Sequence, residues 1–227
     1  LVEADAGVLQ VPLGQLVMKN PNEVSRIMLA ISLARHGTVQ LDSVIVAYGM
    51  PQDLATREGH YYTDKAPGLS FLAAPIVGAL APLLPTHADT DADYWTLHHI
   101  LTWLLISLPM ALFLGLASRD SRLAATGVPP YAFALIFGLA TPVLTYASVF
   151  FSHALAGILI ASAFMLVRGF HEPRSELSRR RAFVAGLLAS FAVVTEYPTI
   201  LLAAVVSIAL VAGRRKRPAL VAFAGGA

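Results

Sequence analysis

The stretch Trp95–Ala117, WTLHHILTWLLISLPMALFLGLA, decides the fold class. It is apolar except for His98 and His99 near one end, and it has the ~20 residues that a helix needs to cross a bilayer core of ~30 Å. Working outward from it, Tyr131–Phe150 reads as a second span without charge. His153–Val167 follows after a very short turn, and Ala182–Thr195 and Thr199–Ala212 form a further pair broken at Glu196-Tyr197-Pro198. A last apolar run starts at Ala219. Strands would need a closed barrel and alternating polarity, and neither pattern is present.

Composition agrees with this reading. Charged residues make up 13% of the 227, apolar residues 56%, and the mean hydropathy is +0.67. A soluble domain carries about 25% charged residues to wet its surface. There is no cysteine, which excludes disulfide frameworks, thiolate metal sites and cysteine nucleophiles. The chain opens on Leu1 and stops soon after its last apolar run begins, so it reads as truncated at both ends, with no signal peptide recognisable.

The loops fall into two sets. Arg119 and Arg122, then Arg168, Arg174 and Arg179–Arg181, then Arg214–Arg217, mark one side of the membrane. Thr86–Asp93, Phe151–His153 and Glu196–Pro198 contain no Lys or Arg and mark the other. Short basic loops stay cytoplasmic. The Arg-rich loops are topology determinants that contact anionic headgroups, and they are not nucleic-acid sites. Gly68–Pro85 is apolar but short, and it carries Pro75, Pro82 and Pro85. Read as a juxtamembrane or re-entrant helix, residues 69–85, it leaves the polar stretch 19–68 on the outer face, with Tyr94-Trp95 at the outer interface.

The expected architecture is therefore all-α, a polytopic transmembrane bundle over 95–227 with an extracytoplasmic loop at 19–68. That loop holds the mixed charge: Glu23, Arg26, Arg35, His36, Asp42, Asp53, Arg57, Glu58, His60, Asp64 and Lys65. Arg26–Ala34 reads as a short amphipathic helix capped by Asn20 or Asn22, with Glu23 and Arg26 at i, i+3 on one face. His60 and Asp64 would pair in the same way if that part were helical. Ala66-Pro67-Gly68 turns the chain sharply and leaves Asp64-Lys65 at the membrane surface, where a lysine suits a lipid phosphate. The alternative for the whole loop is a solvated connection with surface ion pairs.

Further candidates lie downstream. His153 is either a turn residue or a contact to acceptor or phosphate. Glu196 is a carboxylate between apolar helices, a functional candidate by position. His98 and His99 stand one turn inside the outer end of their span and read as hydrated interfacial residues, the alternative being that one of them faces the cavity. Asp89, Asp91 and Asp93 have the alternating spacing of calcium ligands, but read better as a solvated turn.

The segments NPNEVSR (20–26), HGTVQLD (36–42) and GHYYTDKAPGLSFLAAP (59–75) resemble the first extracytoplasmic loop of GT-C membrane glycosyltransferases. The likeness is to the bacterial relatives of the protein O-mannosyltransferases and of the lipid A aminoarabinose transferase. It covers roughly Asn20 to Arg217, and it is specific around Tyr61–Pro75 and weak in the later helices. The resemblance implies a multi-pass enzyme of the bacterial plasma membrane that uses a polyprenyl-phosphate-linked sugar donor on the outer face. Its acceptor would be a hydroxyl of a glycan, lipid or protein. By position, Glu23 corresponds to the acidic residue taken as base or metal ligand, Arg26 to the phosphate-contacting arginine, and Asp64-Lys65 to the acidic–Lys pair at the lipid phosphate. The family often has Asp-Glu where this chain has Asn22-Glu23, which leaves Glu23 and Asp42 both open as the base. Ala66 replaces the first proline of the family's acidic–Lys–Pro–Pro motif. A divalent ion held by Glu23, Asp64 and His60 is a candidate cofactor, and His60, His153 and Glu196 are candidate substrate contacts. From the residues alone, a multi-pass transporter or lipid-handling protein with Glu196 and His153 lining a pathway is the competing expectation, and a non-catalytic relative of the fold is another.

Overall fold

The computed structural model describes residues 20–83, 90–120, 126–168, 178–212 and 217–227. These are mostly helical, and they fall into two compact units, divided between Leu101 and Thr102.

The first unit begins with α1, Pro21–His36. Asn20 caps it, its side chain accepting from the Asn22 N–H at 3.1 Å, and Pro21 enters where a missing N–H costs nothing. Gly37, at φ 64°, closes the other end by donating to the Leu33 carbonyl. The expected short amphipathic helix is thus longer, and from Glu23 to Ser32 it is buried on every side. It tolerates burial because its polar side chains find partners inside. The hydroxyls of Ser25 and Thr63 share a hydrogen bond of 2.7 Å, Arg26 Nη1 donates to the Asn22 carbonyl at 2.8 Å, and Ser32 donates to the Gln40 carbonyl.

After α2, Asp42–Tyr48, a hairpin of β1 (Ala55–Arg57) and β2 (His60–Tyr62) interrupts the otherwise helical chain. Its two-residue turn has φ 54° at Glu58 and 80° at Gly59, both left-handed as a tight hairpin requires. His60 is therefore on a strand, which removes the helical pairing expected between His60 and Asp64.

Helix α3, Gly68–Leu80, lies beside α1. Ser70 donates to the Arg26 carbonyl at 2.8 Å, and a Cβ on Gly78 would sit 4.0 Å from that of Ala34. Both contacts advance by eight residues along each helix, so α1 and α3 run parallel with their N-termini at one end. At ~1.5 Å per residue the 13 residues of α3 reach ~20 Å, short of a ~30 Å bilayer core. Residues 84 and 85 of the expected 69–85 helix lie outside the described residues. The unit closes on α4, Thr90–Thr102, whose Tyr94, Leu97 and Leu101 are buried.

A single helix runs on through α4, a π turn at Trp103–Ser107, and α5, Leu108–Ala117. The π turn stands just before Pro109, which has no N–H and would clash with a regular turn. Its segment Tyr94–Ala117, 24 residues, is long and apolar enough to cross a membrane. The other apolar helices among the described residues run 10–17 residues.

The second unit corrects one expected span. Tyr131–Phe150 is not a single helix: α6, Pro130–Leu139, ends in a bend and α7, Val143–Ala147, restarts after it. Pro142 removes a helical donor, and Thr141 donates to the Phe137 carbonyl at 2.6 Å, finishing the first helix. Then come α8 (Ser152–Arg168), α9 (Arg179–Thr195), α10 (Ile200–Ala212) and α11 (Arg217–Gly226). Helix α9 buries a stripe of Ala182, Ala185, Gly186, Ala189 and Ala192 against α8 and α11. A Cβ on Gly186 would lie 2.0 Å from the Phe223 carbonyl oxygen, and one on Gly226 2.1 Å from that of Phe183, so α9 and α11 cross antiparallel at backbone contact. Large apolar side chains face outward along the unit, among them Leu201 at 73% exposed and Tyr131 at 70%.

Candidate functional site

The common end of α1 and α3 gathers Glu23, Arg26, Asp64 and Lys65, with Asp53 joined to them through Lys65. Glu23 stands in the first turn of α1, where a carboxylate suits the positive end of the helix dipole. It is buried, and its Oε1 lies 3.2 Å from Nε2 of His98 on α4. That overturns the hydrated position expected for His98, which is itself buried with an exposure of 8%. The pair forms because each side chain would otherwise be a costly buried polar group. His99, one residue on, is exposed and hydrogen-bonds the Trp95 carbonyl instead. Arg26 is also buried, one turn above Glu23.

Thr63 ties the second half of the site to the first. Its hydroxyl meets Ser25 on α1 and accepts from the Lys65 backbone N–H at 3.2 Å. The Lys65 ammonium then lies 3.0 Å from Asp64 and 3.1 Å from Asp53, a partner that carries no local sequence signal. Partial burial lowers the Lys65 pKa, but hydrogen bonds and charge from Asp64 and Asp53 outweigh this and raise it above the ordinary 10.5. An ammonium has three donors, and the two carboxylates use two.

Asp42 does a different job. Its Oδ2 meets Nδ1 of the exposed His60 at 2.8 Å, and its Oδ1 accepts from the Tyr61 N–H at 3.1 Å. The Leu41 N–H donates to the Tyr61 carbonyl at 2.8 Å, so Asp42 fastens the hairpin to the start of α2. Both its oxygens are committed.

The candidate metal ligands do not assemble. Glu23 faces His98, Asp64 faces Lys65 and His60 faces Asp42. Among the described residues no group of three or more His, Asp or Glu stands ready to hold an ion. Asp89 lies outside the described residues, as do the side chains of Asp91 and Asp93 and most of the Arg-rich loops.

In the second unit, Glu196 occupies the break between α9 and α10, with extended backbone. Its Oε2 takes a short hydrogen bond from the buried Ser152 hydroxyl and lies 3.2 Å from Nδ1 of His153. Ser152 and His153 open α8. Beside them is a cavity of about 280 Å³, almost wholly apolar, with His153 and Tyr146 on its rim and Phe137 and Phe113 in its wall. Sequence reading singled out His153 and Glu196 but not the serine between them.

No family model, curated protein or solved structure matches the chain. The functional reading therefore rests on its own residues.

Proposed function

We propose that the chain is part of a multi-pass bacterial plasma-membrane glycosyltransferase that moves a sugar from a polyprenyl-phosphate-type donor to an acceptor hydroxyl on the outer face. The observation that carries this reading is the Lys65 ammonium, fixed between Asp53 and Asp64 and tied through Thr63 to the helix end that bears Glu23 and Arg26. The parallel N-termini of α1 and α3 add positive potential at that end, the setting in which phosphates bind. The outward apolar faces of the second unit fit lipid contact.

The chemistry is an inverting displacement. The acceptor oxygen attacks the anomeric carbon as its proton passes to the Glu23 carboxylate. The bond from that carbon to the phosphate oxygen breaks, and its electron pair leaves with the lipid phosphate. Lys65, with Arg26, stabilises the charge that develops there.

The test is a panel of labelled polyprenyl-phosphate sugars offered to the full-length protein in membranes. Transfer from at least one donor, reduced by about 100-fold or more in Glu23→Gln, is the expected outcome for loss of a general base. Transfer unchanged in that variant removes the catalytic assignment.

A second reading has its own observation. The Ser152–His153–Glu196 cluster, beside an apolar cavity at a broken helix, is the arrangement expected of a lipid-handling protein or transporter. Uptake of a lipid or amphiphile that fails in Glu196→Gln, without any sugar transfer, would favour it.

A further inference from the structure

We propose that His98 is a positioning residue for Glu23, holding the carboxylate aimed while it accepts the acceptor's proton; this rests on the glycosyl-transfer reading above. The two residues come from elements 75 positions apart in the chain, α1 and α4, and meet at 3.2 Å between Oε1 and Nε2. Both are buried, so water does not screen the contact. Neither ring nitrogen of His98 makes a hydrogen bond of regular geometry among the described residues, so the 3.2 Å approach of Nε2 to Oε1 of Glu23 is the polar contact that orients the ring. Trp95 meets the ring edge-on at 5.4 Å between centroids and Tyr94 flanks it at 6.1 Å, which limits its rotation.

A carboxylate serving as base must be ionised before attack and must point at one proton. Burial leaves Glu23 without the water that would otherwise surround it, so protein groups must set its direction. Nε2 of His98 stands 3.2 Å from Oε1, and it comes from a helix that the reading embeds in the membrane, a rigid support. As the acceptor's proton moves onto Glu23, the contact changes and the ring stays in place. His98 itself touches no reacting atom.

The experiment compares His98→Ala, His98→Gln and His98→Asn in the full chain, with His99→Ala as control. A glutamine amide reaches close to the Nε2 position, whereas an asparagine amide stops near Nδ1. The expected result is a fall in kcat of about 100-fold in the alanine variant, the low end of what a general base contributes. The KM for the lipid-linked donor should stay within about twofold, because the phosphate contacts are untouched. Glutamine should recover most of the loss and asparagine little of it, with His99→Ala near wild type. Equal losses in all three His98 variants, or a loss confined to KM, would overturn the positioning role while leaving sugar transfer itself intact. Absence of transfer by the wild-type protein with every donor would instead overturn the enzymatic reading, and the positioning role with it. A readout independent of turnover is the side-chain ¹⁵N spectrum of histidine-labelled protein. The His98 resonances should move in Glu23→Gln and not in Asp42→Asn, and no movement in the first variant overturns the pairing.

Discussion

The two units handle polar groups in opposite ways. In the first, charge is spread over α1, α2, α4, the hairpin and the loops, and it forms several separate pairs: Glu23 with His98, Lys65 with Asp53 and Asp64, Asp42 with His60. In the second, one carboxylate is satisfied by two neighbours at the start of a single helix, among helices packed through alanine and glycine. The difference separates a place that can receive another ion from a place that closes on itself. Lys65 retains donor capacity after its two carboxylates, whereas Ser152 and His153 converge on one oxygen of Glu196.

The largest effect should come from breaking the open site. On the proposed glycosyl-transfer reading, Lys65→Ala removes the cation that meets the leaving phosphate, and about 100- to 1,000-fold in kcat is the usual loss when such a stabilising donor is removed. Sugar transfer from the lipid donor measures it. Lys65→Arg should restore only part, because a planar guanidinium does not replace a compact ammonium held between two carboxylates. The raised pKa of Lys65 also sets a sign. Its folded-state contribution is fully present below the unfolded value and disappears only as pH rises through the raised one, above 10.5. Between pH 7 and 9 the lysine should therefore add no slope to either stability or transfer, and thermal melts across that range check the first.

Next in size is a change aimed at the second unit's packing. Gly186→Ala puts a methyl group 2.0 Å from the Phe223 carbonyl oxygen, and backbone on both sides leaves little room to give. Overpacking of this kind costs about 1–3 kcal/mol. A lower melting temperature of the protein in detergent checks it, and no change would mean that α9 and α11 do not cross this closely. Smaller still is Glu196→Gln, which keeps an acceptor for Ser152 and loses the charge facing His153. About 1 kcal/mol of stability should be lost, in the range of a single hydrogen bond. Sugar transfer should change by less than about threefold. A tenfold loss of transfer would dissolve the contrast and make Glu196 a substrate contact.

The sequence carried the class of structure better than its joints. Apolar length marked Trp95–Ala117, Asn20 was one of two candidate caps for a first helix legible only over Arg26–Ala34, and the break at Glu196-Tyr197-Pro198 stands where the proline demanded it. Pro142 was equally visible, yet the stretch around it read as one span because hydropathy averages over a bend. The adjacency of Asp64 and Lys65 was legible, but Asp53 was not, since a loop return of a dozen residues has no periodicity to read. His98 was misjudged for a similar reason. Its helical position near a membrane end is compatible with water, and only the fold brings Glu23 to it. A buried histidine in an apolar helix does carry one signal: it needs a partner, and the first-turn glutamate of α1 was an available one.

The smallest prediction acts on the hairpin, an element that only the open site uses. Glu58 is the one residue other than glycine with positive φ among the described residues, at 54°, and it fills the first position of the turn before Gly59. An L side chain there is strained, and asparagine tolerates that conformation better because its short polar group can bond locally. Glu58→Asn should therefore stabilise the protein by a few tenths of a kcal/mol, up to about 1. The exposed contact to Arg57 that it removes is worth little, both side chains being almost fully solvated. The gain should appear as slower hydrogen exchange at the Tyr61 N–H, which Asp42 holds, and not at the amides of α9 or α11. If protection rises equally in both units, they unfold together, and the contrast between an open polar site and a closed apolar one does not extend to their stability. If it rises only around Tyr61, the hairpin is an independent clamp, and a firmer hold on Asp42 and His60 then tells, through donor KM, whether its order limits binding.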